Sequence, residues 1–227
     1  MIEYTLDLNC WWFPADAASI RHDEHPPLII YLHGSGQKGE GGRRLHKVTD
    51  CGLPKHRLEH RKLTDTPFPF VVVAPQCPHG RNWCDASVLA AVEALVRQII
   101  DGGMADPHRL YLTGFSMGGI GTFCLALRDP QRFAAIASVC GRCTNISEVG
   151  RLRHTPTWVA YAEDDEIEKL TRGSKDVVER LAPFGNVVAR PYHVGARDGE
   201  IAHVRTCNAA YADRNLYRWM LHHPYET

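Results

Sequence analysis

Six short apolar runs recur along the chain, at residues 28–32, 70–74, 109–113, 133–139, 157–161 and 186–190. They are continuously apolar rather than alternating, the pattern of strands covered on both faces. The segment 2–13 is expected to add antiparallel edge strands. Between the runs, apolar positions recur at helical spacing. Val88, Leu89, Val92, Leu95, Val96, Ile99 and Ile100 share one face, with Glu93 and Arg97 opposite, and Gly102 and Gly103 end that helix. Further helices are predicted at 117–128, stopped by Asp129 and Pro130, and at 166–181, stopped near Pro183. The last is predicted at 209–222, with Leu216, Trp219 and Met220 as its core face. Strands alternating with helices predict a doubly wound α/β fold, a mostly parallel central sheet with helices on both faces. With 227 residues and no repeats or linkers, the chain reads as one domain, 1–227, in which 1–26 supplies the N-terminal edge strands.

Charge removes some functions. Lys plus Arg number 26 and Asp plus Glu 26, so there is no basic footprint for a nucleic acid, and no such partner is expected. No window approaches the roughly 18 apolar residues of a membrane span. The start, Met1 to Asp7, lacks a basic segment followed by an apolar run, so a cytoplasmic location is the expectation, or a secreted one if a leader has been removed. Cys140 and Cys143 have the C-x-x-C spacing of a redox pair or half a zinc site, but no second pair completes a zinc site, and no metal is expected. Most of the other cysteines lie in apolar stretches and read as small hydrophobes, with redox or disulfide roles as the alternative.

The most informative stretch is Leu110-Tyr-Leu-Thr-Gly114-Phe-Ser116-Met-Gly118-Gly119. It is G-x-S-x-G at the end of a predicted strand and the start of a predicted helix, the context of a nucleophile elbow. The glycines permit a sharp turn that projects Ser116 above the sheet, beside a helix start rich in backbone N–H groups. A plain glycine-rich turn with an incidental serine is the competing reading.

A serine hydroxyl needs a base to take its proton, and in this arrangement an acid and then a histidine follow in the chain. Glu163, Asp164, Asp165 and Glu166 cluster after the run at 157–161, where catalytic groups of open α/β sheets gather, although a helix cap would look the same. Spacing favours Asp165, with Asp164 in reserve. His193 and His203 both qualify as the base. His203 is favoured, because it sits in a predicted loop, 195–203, with freedom to reach back over Ser116. Acyl transfer also needs oxyanion donors, commonly worth about 3–4 kcal/mol each. The N–H of Met117 and that of Ser35, in the glycine-bearing loop after 28–32, are the candidates. A phosphate-cradling loop is the competing reading there, a poor one, since no Gly-Lys-Ser/Thr follows.

At these residues the sequence resembles the serine esterases of the α/β-hydrolase superfamily, in the phospholipase/carboxylesterase and polyhydroxybutyrate-depolymerase-like group. The likeness runs from about Pro27 to the C-terminus. Pro27-Leu-Ile-Ile-Tyr-Leu-His-Gly-Ser-Gly36 is similar to that group's oxyanion strand and loop. Cys51-Gly-Leu-Pro-Lys55, Val73-Ala-Pro-Gln-Cys-Pro78, Tyr111-Leu-Thr-Gly-Phe-Ser-Met-Gly-Gly119 and Ala210-Tyr-Ala-Asp-Arg-Asn-Leu-Tyr-Arg-Trp-Met-Leu221 also match its pattern. The resemblance implies an α/β-hydrolase fold, with Ser116 as nucleophile, Asp165 as acid, His203 as base and the Ser35 and Met117 amides as the oxyanion hole. Two departures stand out. Tyr161 and Ala162 replace the group's usual His-Gly before the acid, and Val204 to Cys207 follow His203 where the group has x-x-Trp.

The connection at 140–155 is too short for a lid domain. The implied activity is a serine carboxylesterase, cofactor-free, acting on small-molecule or polymer-linked esters with short or small acyl groups, such as acetyl or feruloyl esters on polysaccharide. A peptidase or amidase of the prolyl-oligopeptidase type and a catalytically silent binding protein are the rivals. Trp83 reads either as a substrate-pocket wall or as a buried anchor for its loop.

Overall fold

A computed structural model describes residues 7–19, 24–60 and 62–224. Seven strands form one sheet: β1 (Cys10–Phe13), β2 (Leu28–Leu32), β3 (Val71–Pro75), β4 (Leu110–Phe115), β5 (Ala135–Val139), β6 (Thr157–Ala162) and β7 (Val187–Tyr192), in the order β1-β3-β2-β4-β5-β6-β7. Among the described residues only β1 runs antiparallel, paired with β3 from Cys10 opposite Pro75 to Phe13 opposite Val72. The expected edge strand is therefore present at 10–13, and residues 2–6 lie outside the described residues.

Alternate residues of each inner strand enter two separate cores. Leu28, Ile30, Leu32, Val71, Val73, Leu110, Leu112 and Ile136 face α2 (Ala86–Asp101), α3 (Met117–Ala126) and α4 (Glu168–Leu181). Ile29, Tyr31, Val72, Ala74, Tyr111, Ala135, Ala137 and Trp158 face α1 (Gly52–Leu58), α5 (Ala202–Ala212) and α6 (Arg214–Leu221). Both faces being covered is why the strands carry no polar alternation.

Two parts of the helix reading change. The predicted helix at 209–222 is two helices, α5 and α6. They are divided at Asp213, whose backbone is extended and whose side chain accepts the Asn215 N–H at 2.9 Å, as an N-cap does. The start of α5 at Ala202 also takes His203 out of the expected loop and into a first helical turn. The segment before α1, a 3-10 helix at Gly42–Thr49, turns only Leu45 and Val48 to the core, too few apolar positions to announce it in the sequence.

The strand order places the site. From β2 the chain moves to β3 on one side, then crosses back to β4 on the other. Loops leaving neighbouring strands in opposite directions open a crevice at their carboxyl ends. That crevice lies between the segments after β2 and β4, which carry Ser35 and Ser116. The β5–β6 connection holds only a short 3-10 helix, Ile146–Leu152.

Candidate active site

Ser116 is the hinge between β4 and α3. Its backbone has φ 55° and ψ −114°, a conformation costly for an L-residue. It is held there from both sides: the Ser116 N–H donates to Val139 on β5 at 2.9 Å, and the Ser116 carbonyl accepts the Ile120 N–H at 3.0 Å. Two glycines make the turn sterically possible. A Cβ on Gly118 would lie 1.8 Å from the Leu32 carbonyl oxygen, and one on Gly114 would lie 2.3 Å from that of Gly118. Met117 opens α3, so its N–H has no intrahelical acceptor.

The second oxyanion candidate is set by His33. Its Nε2 accepts the Cys77 N–H at 2.9 Å, so the ring proton is on Nδ1, which donates to the Gly34 carbonyl at 2.6 Å. Burial pushes this histidine down to about 4, and it is neutral at physiological pH. In a trans peptide the C=O and N–H point opposite ways, so tying down the Gly34 carbonyl turns the Ser35 N–H away from the ring. The Gly34 N–H donates to Gln37 Oε1 at 2.9 Å, which fixes the other side of the loop.

Trp83 is fully buried. Its indole N–H donates to the His33 carbonyl at 2.8 Å, and its ring meets the His33 ring edge-on. Of the two roles open to it from the sequence, the surroundings supply the loop anchor. The pocket-wall role is set aside, because no part of the side chain reaches solvent.

The carboxylate cluster after β6 divides its work. Asp165 Oδ2 lies 2.7 Å from His203 Nδ1, with both side chains buried. With the carboxylate oxygen as acceptor, Nδ1 is the donor of this bond and Nε2 is the ring's other nitrogen. Nε2 is buried and has no hydrogen-bond partner among the described residues. The ring packs on Phe115, the residue before Ser116, with centroids 4.6 Å apart. Asp164 instead accepts the Gly195 N–H through Oδ2 at 2.6 Å. His193 stands 3.9 Å from Asp164 with its side chain 75% exposed. The alternatives left open by spacing therefore separate: Asp165 with buried His203, Asp164 with the loop and exposed His193.

Sequence reasoning did not isolate Glu166. Its Oε1 accepts the Ala202 N–H at 2.8 Å and its Oε2 the His203 N–H at 3.1 Å. These bonds, first that to Ala202, lower its carboxyl, aided by the nearby His203 ring. The sequence signal was only an acidic run that resembled a cap. It does cap a helix, but α5 rather than α4.

Cys140 also reaches this cluster. Its sulfur, an Asp165 carboxylate oxygen and a His203 ring nitrogen all lie within 4.8 Å of one another. That is a zinc-type donor set, but the imidazole and carboxylate are already committed to each other. Burial, reinforced by Asp165, pushes the Cys140 thiol far up, which keeps it protonated. Cys140 and Cys143 are both free and buried, so the C-x-x-C spacing forms no bond here. The disulfide joins Cys84 to Cys124 and ties the loop after Trp83 to α3.

This fold and site have relatives. The chain belongs to the Esterase family: the family model described as "Putative esterase" matches residues 57–186, a span that takes in Ser116 and Asp165 and ends before His203. It is thereby a hydrolase of the class that acts on ester bonds, on an α/β-hydrolase fold. Among curated proteins it is similar to the Acyl-protein thioesterase 1 homolog 2 of Dictyostelium discoideum, 23% identical over 164 residues, covering 63% of this chain and 72% of that protein. It is also similar to Feruloyl esterase B of Thermothelomyces thermophilus, 27% identical over 133 residues, covering 52% of this chain and 40% of that one. The crystal structure of a thermostable esterase superposes with a TM-score of 0.76 at 27% identity, covering 96% of this chain and 59% of that one. The chain thus spans less than two thirds of the feruloyl esterase and of the thermostable esterase.

Proposed function

We propose that the protein is a serine carboxylesterase that hydrolyses short or small acyl esters through an acyl-enzyme on Ser116. The observation that carries the reading is the buried His203, which donates through Nδ1 to Asp165, leaves Nε2 without a partner and packs its ring on Phe115, the residue before the strained elbow at Ser116. In this mechanism Nε2 takes the Ser116 proton as Oγ attacks the ester carbonyl. The oxyanion accepts hydrogen bonds from the Ser35 and Met117 amides. The alcohol leaves with the proton returned from Nε2. Water then attacks the acyl-enzyme by the same route, and Asp165 stabilises the imidazolium in both halves. No step calls for a metal or organic cofactor.

The short β5–β6 connection supports an open site, suited to small soluble esters or to acyl groups displayed on a polymer. The names of the relatives widen the trial panel to thioesters and feruloyl esters.

The test is labelling with a fluorophosphonate, with the adduct located by peptide mass spectrometry, alongside p-nitrophenyl esters from acetate to decanoate. We expect the adduct on Ser116 and rates that fall as the acyl chain lengthens. Ser116→Ala should lose activity by about 10⁴-fold or more, the scale seen when a triad member is removed. A folded protein that takes no label and turns over no ester would instead be a binding scaffold.

A further inference from the structure

Three consecutive carboxylates hold the segment between β7 and α5 at three points. Asp164 takes the Gly195 N–H, Asp165 takes the His203 ring and Glu166 takes two backbone amides at the start of α5. We propose that Glu166 is a positioning residue for His203, whose two carboxylate oxygens clamp the Ala202 and His203 amides and so fix the helix start from which the imidazole reaches Asp165. The inference rests on the reading of His203 as the base.

The geometry explains why a clamp is needed. His203 is the second residue of α5, and Ile201, the residue before the helix, caps it with no side-chain hydrogen bond. First-turn amides have no intrahelical acceptors, and fraying begins there. A frayed first turn would carry the imidazole with it, because ring and backbone are joined by one Cβ. Glu166 supplies acceptors for two of these amides, Ala202 and His203, from one residue. It also follows Asp165 directly, so helix start and triad acid are referenced to the same stretch of the β6–α4 loop. A misplacement near 1 Å at a catalytic group is enough to cost about 100-fold in rate.

Glu166→Ala and Glu166→Gln are compared with the wild-type chain by three measurements. The first is hydrogen exchange at the Ala202 and His203 amides. The second is the far-downfield NMR resonance of the His203 Nδ1 proton, identified by its loss in His203→Ala. The third is the split of p-nitrophenyl acetate hydrolysis into kcat and KM.

We expect Glu166→Ala to speed exchange at both amides and to broaden or abolish the Nδ1 resonance. It should lower kcat about 10- to 100-fold with KM changed by less than about twofold. Glu166→Gln keeps one acceptor oxygen and should retain one protected amide and an intermediate kcat. Native exchange, an intact resonance and wild-type kcat in Glu166→Ala would overturn the proposal, even if its melting temperature fell. If His203→Ala retains esterase activity, the reading of His203 as base fails on its own. The exchange and resonance measurements then still decide whether Glu166 holds the ring in place.

Discussion

Ser116 carries its cost in the backbone: φ 55° with a Cβ attached is a conformation that glycine adopts freely. Ser116→Gly should therefore be more stable than Ser116→Ala by about 1 kcal/mol in urea unfolding. Equal stabilities would mean that the elbow is unstrained. At Gly118 the opposite holds. With the Leu32 carbonyl oxygen 1.8 Å from any Cβ, Gly118→Ala should fail to fold or lose most of its stability. The carboxylates separate by function. Asp165→Asn should cost about 10³- to 10⁴-fold in kcat, because the imidazole loses its tautomer partner. Asp164→Asn loosens the Gly195 attachment and the contact with exposed His193, and should cost far less. At this scale Ser116 was legible, since a strand, a glycine pair and a helix start all stand in the sequence. Asp165 and His203 could be chosen only by order and spacing. Glu166 was not legible, because its partners are amides 36 and 37 positions away that no side-chain pattern marks.

Elements were legible where their periodicity was long. The buried strands and α2 follow their apolar runs to within a few residues. The end of the chain did not, because α5 and α6 together present one apolar face, and the break depends on the Asp213 side chain capping α6. A helix start at Ala202 was hidden as well, since its cap is supplied by a distant glutamate instead of the residue before it. The disulfide belongs to this scale. It joins residues 40 apart and ties α3, at whose start Ser116 sits, to the loop carrying Trp83. Chain-entropy arguments put a tie of this length at roughly 4 kcal/mol. Cys84→Ser with Cys124→Ser should lower the urea midpoint accordingly, and dithiothreitol should reproduce the shift in the wild type. If neither treatment moves the midpoint, the bond does not persist in solution.

Across the whole molecule, the same switch in strand order that opens the crevice also buries His33 beneath it, and this has a global consequence. His33 is held neutral down to about pH 4, whereas in the unfolded chain it takes a proton below the ordinary histidine value of 6.5. Between those values the unfolded state binds more protons, so stability is full above about pH 6.5 and falls as the pH is lowered towards 4. The contribution lost is on the order of 3 kcal/mol. Urea unfolding at steps across that window should show the decline, and a flat profile would mean that His33 is protonated in the native state. The overall architecture was legible because strands buried on both faces leave an unmistakable apolar signature. The locking of the loop after β2 was not, because it is made by one imidazole, one indole and backbone groups far apart in the chain.

The distribution of sulfur gives the protein an internal gauge of its own opening. Apart from the bonded pair, Cys10 is half-buried and Cys51, Cys77, Cys140, Cys143 and Cys207 are buried. An aromatic disulfide reagent should thus titrate about one equivalent in the native protein and about six after denaturation. Cys51 and Cys207 face each other at the contact between α1 and α5, with their sulfurs 3.8 Å apart, four residues along the helix from His203. Their reaction in a pulse of reagent would time the loosening of that helix separately from the collapse of the sheet.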